Sequence, residues 1–360
     1  MESSAYVRLF VPEATASSVA AWAQSAPSTS IFSGPSTPAH EIHHLSLFVL
    51  TVTGVIFVSM SCLLVYALVR FRSSIADKVE PPQVFGSVQI ELAWTIIPIL
   101  IIVVLFLGTA RVLFSIQDAP KPETALDVIV VGHQFWWEFR YPRYNIVTAN
   151  ELHVPLSSTT QPRPTFMKLT SADVIHSFWV PQLAGKTDLL PNRVNEMWID
   201  PQKPGMYVGQ CAQFCGLQHA KMLLRVYVDP PAQFQRWLSE QQRAQSEIPD
   251  PPPGAPAASA RVSSDLKNVD PRDGQLVFEQ NACINCHTVV GTVANGRFGP
   301  DLTHLMSRAT LAAGAMPNTP ENLQAWIADP SQFKPGSLMP AMHLTETQNA
   351  QITAYLLTLK

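Results

Sequence analysis

Charged residues are scarce in this 360-residue sequence: they make up 14%, with 24 Lys and Arg against 27 Asp and Glu and a net charge of −3. No basic stripe is available to neutralise phosphates, which excludes a nucleic-acid partner. Cysteine is sparse as well, at five residues. Four of the five fall into two tight pairs, and Cys62 lies alone in an apolar run, so a disulfide framework is excluded. Internal repeats are not evident. What is present is 31 prolines, which with so little charge point to linkers and membrane-embedded sequence. The length leaves room for two domains and additional segments.

Hydropathy locates the membrane part. Ser46 to Val69 carries no charge, and Leu92 to Ala110 is a second uncharged run; both are long enough to cross a bilayer as helices. Helices are required there because lipid offers no partner for unpaired backbone groups. A long buried core helix is the bland alternative. Pro98 lies early in the second run, where a missing N–H is tolerated or gives a kink. Arg70, Arg72 and Lys78 occupy the connection, whereas the N-terminal tail has Arg8 and no Lys. The excess of positive charge places the connection in the cytoplasm and both termini outside. Residues 1–40, rich in Ser, Ala, Thr and Pro, read as a disordered tail.

After the second span the pattern changes. Short β-branched or aromatic runs at Ala125–Tyr141, Asn150–Pro155, Thr165–Thr170, Val194–Ile199, Met206–Gln210 and Met222–Val228 are separated by turn signals such as Pro201-Gln-Lys-Pro204-Gly205. So many strands in so short a stretch imply a β-sandwich or barrel. Residues 232–247 have helical composition, and Pro249–Ser264 reads as an extended Pro- and Ala-rich linker. Helices are expected again at Gly274–Asn281, Glu321–Ala328 and Glu346–Leu357.

Two motifs carry chemistry. The first is Cys211-Ala-Gln-Phe-Cys215-Gly-Leu-Gln-His219-Ala-Lys-Met222, with a distant His176. Thiolates and a thioether are soft ligands, so the set favours copper or zinc over calcium or magnesium. Zinc leaves Met222 unexplained, and one blue copper would use a single Cys; two thiolates suggest two metals bridged by both sulfurs. A structural zinc loop is the alternative. The second motif, Cys283-Ile-Asn-Cys286-His287, has the spacing that attaches a c-type haem, with a redox disulfide or zinc pair as its alternative. His287 would be one axial ligand and a later Met the other. Met339 in Lys334-Pro-Gly-Ser-Leu-Met339-Pro340, a segment that resembles the class I cytochrome c pattern, is the first candidate, and Met342 in the same loop the second. His304 and His343 have no partner pattern and read as surface or haem-edge residues.

Residues 40 to 230 resemble subunit II of haem–copper cytochrome c oxidases. The resemblance rests on Glu91-Leu-Ala-Trp94-Thr-Ile-Ile-Pro98, Gly132-His-Gln-Phe-Trp-Trp137, Asp173-Val-Ile-His176-Ser-Phe-Trp-Val-Pro181, Gly185-Lys-Thr-Asp188-Leu-Leu-Pro-Asn-Arg193 and the cysteine loop. Beyond the linker, the haem motif, Gly299-Pro300-Asp-Leu302 and the Met339 segment are similar to class I cytochromes c. Together they resemble the caa3-type oxidases, in which a cytochrome c domain is fused to subunit II. The resemblance implies a multidomain membrane protein: a disordered tail (1–40), a transmembrane helical hairpin (41–118, spans about 46–69 and 92–113), an all-β cupredoxin-like CuA domain (119–231), a helix and linker (232–265) and an all-α class I cytochrome c domain (266–360).

It further implies a dinuclear copper centre, CuA, held by His176, Cys211, Cys215, His219, Met222 and the backbone carbonyl of Gln213, and a haem c bound covalently to Cys283 and Cys286 with His287 and Met339 on the iron. Phe135, Trp136 and Trp137 are the electron-transfer candidates, although many members have Trp where Phe135 stands. Glu91 matches a carboxylate at the mouth of a proton channel. Many members have Glu in place of Gln213, a carboxylate that helps bind magnesium at the subunit interface; Gln keeps a carbonyl oxygen but loses the charge, which sets magnesium apart from the rest. The implied role is electron delivery, from an external cytochrome c or quinol–cytochrome c reductase to haem c, CuA and haem a of subunit I, where O2 is reduced to water with proton translocation. The implied partners are subunit I, with haem a and CuB, and subunit III, in a bacterial plasma membrane with both redox domains outside. Alternatives are a free-standing membrane-anchored electron carrier and the CuA component of a nitrogen-oxide reductase.

Overall fold

The computed structural model of this chain describes residues 30–72, 83, 86–243, 266 and 269–360. The extended linker, Lys78 and the first 29 residues of the expected tail lie outside the described residues.

Two helices, α1 (Thr37–Arg70) and α2 (Val88–Gln117), are long and apolar enough to cross a membrane. Almost none of their surface is buried within the chain, so their apolar faces require lipid or other subunits. They touch where Gly108 of α2 passes Leu45 and Phe48 of α1. Pro98 lies inside α2. The expected tail is corrected at its end: residues 37–40 belong to α1, because Ser36 pairs with Pro201 and Pro38 begins the helix with a φ already suited to it. The backbone N–H of Asp200 donates to Ser36 Oγ at 2.9 Å, and Thr37 Oγ1 donates to Asp200 Oδ2 at 2.8 Å. Beside it, at the C-terminal end of α2, Trp198 Nε1 donates to the carbonyl of Ile116 at 2.7 Å. Both helices are thereby fixed to the same corner of the β domain.

That domain is a two-sheet sandwich of cupredoxin type. Its strands are β1 (Leu126–His133), β2 (Trp136–Tyr141), β3 (Ile146–Ala149), β4 (Glu151–Pro155), β5 (Thr165–Ser171), β6 (His176–Trp179), β7 (Thr187–Leu189), β8 (Asn195–Ile199), β9 (Gly205–Cys211) and β10 (Leu223–Asp229). One sheet has the order β3-β2-β1-β5-β8 and the other β4-β10-β9-β6-β7. Burial along β5 and β10 alternates strictly, as expected of strands with one face in a core. Between the sheets lie Trp137, Phe139 and Phe178, with Phe178 edge-on to both rings. The single run expected at 125–141 is two strands, broken at Gln134-Phe135. Strands β3, β6 and β7, which no run announced, are only three or four residues long. Helix α3 (Pro231–Gln241) then lays Phe234 and Leu238 on the sandwich, and its Trp237 stacks on His153 at 4.5 Å.

The C-terminal domain is built from α4 (Pro271–Gln280), the short α5 (Cys283–Cys286), α6 (Pro320–Ala328) and α7 (Glu346–Leu356). Side-chain caps on Asp270, Thr319 and Thr345 start the three longer helices, satisfying N–H groups that have no partner within a helix. Phe278 of α4 meets Tyr355 of α7 at 5.6 Å. A two-residue β pair, Thr310–Leu311 with Met316–Pro317, is the departure from an all-helical domain. This domain is seated on the sandwich. The buried Glu151 carboxylate accepts from the N–H groups of Ala309 and Thr310 and from Thr310 Oγ1 at 2.8 to 3.0 Å, and Trp136 and Ala149 enclose Ala313.

Candidate functional site

The candidate metal-ligating residues converge at one end of the second sheet. His176 begins β6, Cys211 ends β9, and the loop to β10 returns through Cys215, His219 and Met222. The ladder places Phe178 opposite Cys211, so an inflexible scaffold sets the loop's anchor. Cys211 Sγ lies 3.8 Å from Cys215 Sγ, 3.9 Å from His176 Nδ1 and 3.1 Å from the carbonyl oxygen of Gln213. Cys215 Sγ is 3.8 Å from both His219 Nδ1 and Met222 Sδ. Two donors each about 2.0–2.3 Å from a shared ion stand about 3.5–4 Å apart, so these spacings suit metal binding. With two sulfurs at the centre and one imidazole beside each, the set has the symmetry of a pair of soft metal ions. Among the described residues, His176, Cys211 and Cys215 are the one close-set group of three or more His, Cys or carboxylate donors, and all three are buried.

The electrostatics agree with a metal centre. The thiol of Cys215 hydrogen-bonds to Cys211 and, against burial, pulls Cys211 down to about 3; Cys211 and burial in turn push Cys215 up. The two shifts run in opposite directions, and a cation between the sulfurs would favour the thiolate form of both. Burial works against a charge on His176, but hydrogen bonds to Asp173 and Cys211 outweigh it, and its pKa is raised. Asp173 was not singled out by sequence. Its Oδ1 sits 2.8 Å from His176 Nε2 and so presents Nδ1 to the sulfurs, the orienting role that a carboxylate plays behind a ligating His. Gly132 in Gly-His-Gln-Phe-Trp-Trp is explained by the same ring: a Cβ there would lie 2.8 Å from His176 Cδ2.

A second cavity opens between the domains. Cys283, Cys286, His287, Phe298, Leu302, Met339 and Met342 line it from the C-terminal domain, and Gln134, Phe135, Trp136 and Asn150 from the sandwich. His287 Nδ1 is 2.8 Å from the carbonyl of Pro300, which holds Nδ1–H and leaves Nε2 for a metal. Burial keeps this imidazole neutral by lowering its pKa. Gly299 admits the ring, since a Cβ would lie 2.6 Å from His287 Cε1. Arg308, also missed by sequence, lines the cavity with a buried Nε that has no partner among the described residues. That N–H suits a carboxylate, which a haem carries as propionate. Thiols, imidazole, thioethers and this guanidinium together fit haem c.

The remaining sequence candidates fall as follows. Met339 and Met342 both line the cavity and are both partly exposed. Trp137 is fully buried, with Nε1 3.5 Å from the carbonyl of Met222. Trp136 stacks on His133 at 4.1 Å. Glu91 is exposed in the first turn of α2, where a helix terminus favours negative charge. Cys62 is exposed on α1. His304 corrects the expectation of a surface or haem-edge residue: it is buried outside the lining of the cavity around His287, with Nδ1 2.7 Å from the carbonyl of Lys360 and Nε2 3.0 Å from that of Gln241. Both partners are more than fifty residues away, which no local pattern signals.

Three family models match the chain: the transmembrane domain of cytochrome c oxidase subunit II over residues 25–111, the periplasmic domain of the same subunit over 148–228, and cytochrome c over 271–360. Cytochrome c oxidase subunit 2 of Alkalihalophilus pseudofirmus is 32% identical over 321 residues, covering 88% of this chain and 85% of that protein. The subunit 2 of Bacillus subtilis is 31% identical, covering 82% of each. Among solved structures, the periplasmic domain of subunit II of the Bradyrhizobium japonicum oxidase is 29% identical over 34% of this chain and 96% of that one, with a TM-score of 0.31. These domains imply copper and haem c as cofactors, subunit I of a haem–copper oxidase as a partner and a membrane anchor. The chain belongs to the cytochrome c oxidase subunit II family, as an electron-transferring subunit of a terminal oxidase that carries its own cytochrome c domain.

Proposed function

We propose that this chain is the subunit II of a caa3-type oxidase and works as a two-station electron relay. His176, Cys211, Cys215, His219, Met222 and the Gln213 carbonyl would hold CuA. Cys283 and Cys286 would anchor haem c, His287 and Met339 would ligate its iron, and the Arg308 N–H would be available to one of its carboxylates. When bound, these groups supply two successive one-electron stations, of which the dinuclear copper shares its electron over both ions. Electrons from an external cytochrome c or quinol–cytochrome c reductase would arrive at haem c, cross to CuA and leave for haem a of subunit I, which reduces O2 with proton translocation. Both redox domains would lie on the outer face of a bacterial plasma membrane, with subunit III in the complex. Magnesium has no part in this reading, because Gln213 offers no charge.

The observation that carries the proposal is the shared wall between the two sites. Phe135 lines the haem cavity, and its ring edge packs on Gly216 of the copper loop, where an added Cβ would stand 3.1 Å from it. The chain's own part is to hold this contact dry and fixed, so that the transfer distance does not vary. Trp137 supports the copper loop from behind rather than bridging to the haem. A free-standing carrier would need neither subunit I nor Glu91. Purification of the chain from detergent-solubilised membranes separates the readings: we expect a haem-rich polytopic partner with two coppers and one haem c per chain, and recovery of the chain alone would refute the oxidase reading. Glu91 would stand at the mouth of a proton channel. Its replacement by Ala is expected to slow turnover while copper reduction stays intact, and unchanged turnover would remove Glu91 from the proton path.

A further inference from the structure

We infer that Lys334 is a positioning residue that clamps the haem domain onto the copper loop, setting the pose in which the two redox sites face each other. The inference rests on the relay proposed above. Lys334 is 3% exposed, and its Nζ donates to the carbonyls of Phe135 at 3.1 Å, Lys221 at 3.0 Å and Ala312 at 3.1 Å. An ammonium has three donors and no acceptor, so its capacity is filled. The three acceptors come from three places: the β1–β2 turn that walls the haem cavity, the copper loop beside Met222, and the haem domain itself. Among the described residues no carboxylate forms an ion pair with it. Burial, with Lys221 nearby, pushes its pKa down to about 8, as expected of a buried ammonium with no paired carboxylate.

The neighbours of Lys334 repeat the contact. Gln218 Nε2 donates to the carbonyl of Pro335 at 2.6 Å, and Lys221 Nζ to that of Phe333 at 2.9 Å. Gly336 lies so close to Leu217 that a Cβ would meet Leu217 Cδ1 at 2.7 Å. The segment 333–336 leads to Met339, and residues 217–222 include His219 and Met222. The ligand loop of one redox site is therefore hydrogen-bonded to the ligand loop of the other. A displacement of the haem domain would strip the buried ammonium of the two acceptors that lie across the interface, Phe135 and Lys221, a large penalty for a small movement. Electron transfer falls steeply with distance, so the rate of haem-to-copper transfer reads the pose directly.

The test uses the assembled oxidase carrying Lys334→Met, with haem and copper content verified. We expect haem-to-copper transfer after flash reduction to slow by about tenfold or more, as the docked population falls with the loss of the two charge-assisted hydrogen bonds that cross between the domains. The slowed rate should depend on solvent viscosity, and the magnetic relaxation that the haem iron induces in the copper signal should spread over a range of distances. The haem and copper optical bands and both midpoint potentials should stay at their wild-type values. A transfer rate equal to wild type overturns the clamp, as does a slowing accompanied by shifted bands or potentials, which would make Lys334 a structural part of one site. If Lys334→Met does not assemble, Lys334→Arg keeps the charge but cannot direct three donors from one nitrogen; the same slowing is expected, and a wild-type rate overturns the clamp. Absence of transfer in the wild-type protein would overturn the relay itself, whereas equal transfer in wild type and variant removes the clamp alone.

Discussion

Replacing Cys215 with serine is expected to abolish the copper centre while leaving haem c in place. Cys215 Sγ is within 3.8 Å of Cys211 Sγ, His219 Nδ1 and Met222 Sδ, so its loss removes a donor common to the whole cluster. A serine hydroxyl is a harder ligand, does not ionise readily at neutral pH and cannot bridge soft metal ions as a thiolate does. The loss should exceed the roughly 10–100-fold weakening expected when an outer partner such as Asp173 is removed. Metal analysis and the near-infrared mixed-valence band check it: the variant should lack both copper ions and the band, and its haem should remain reduced after flash reduction. Retention of two coppers with an unchanged band would show that Cys215 does not bridge.

Replacing Met339 with leucine is expected to leave the haem covalently attached but deprive its iron of the thioether. Both Met339 and Met342 line the cavity, and the distinction lies in what holds each. The Ser337 N–H donates to the carbonyl of Lys334 at 2.9 Å, so the segment tied to the copper loop reaches Met339 two residues later, while Met342 lies beyond Pro340. The ferric spectrum and the midpoint potential report the ligand, because a Met/His pair raises the potential of a low-spin haem. Met339→Leu should lose the thioether charge-transfer band and fall in potential; Met342→Leu should keep both. The reverse outcome would assign Met342 to the iron.

The candidate copper loop is legible in the sequence because Cys211, Cys215, His219 and Met222 fall within twelve consecutive residues whose donor chemistry has few interpretations. The haem motif was legible for the same reason. The two spans followed from uncharged length, although their ends did not, since Ser36 and Trp198 set those through contacts with residues 201 and 116. Asp173 was visible within a motif but acquired a role only when its distance to His176 was known. Arg308, His304 and Lys334 were read poorly or not at all, and each depends on a partner or cavity assembled from far-apart segments; Lys334 and Phe135 are 199 residues apart. Local pattern thus marks the candidate ligands, and tertiary contact alone marks the geometry between them.

That geometry is the central claim: the two sites are consecutive stations on one chain, set face to face by the docked haem domain. The most direct measurement reduces haem c with a light pulse in the intact complex, under conditions where no soluble cytochrome is present, and follows the haem and near-infrared copper bands together. The account predicts that haem reoxidation and copper reduction share one rate constant, independent of protein concentration. Haem that stays reduced while CuA is reducible from solution, or a rate that rises with protein concentration, would contradict it.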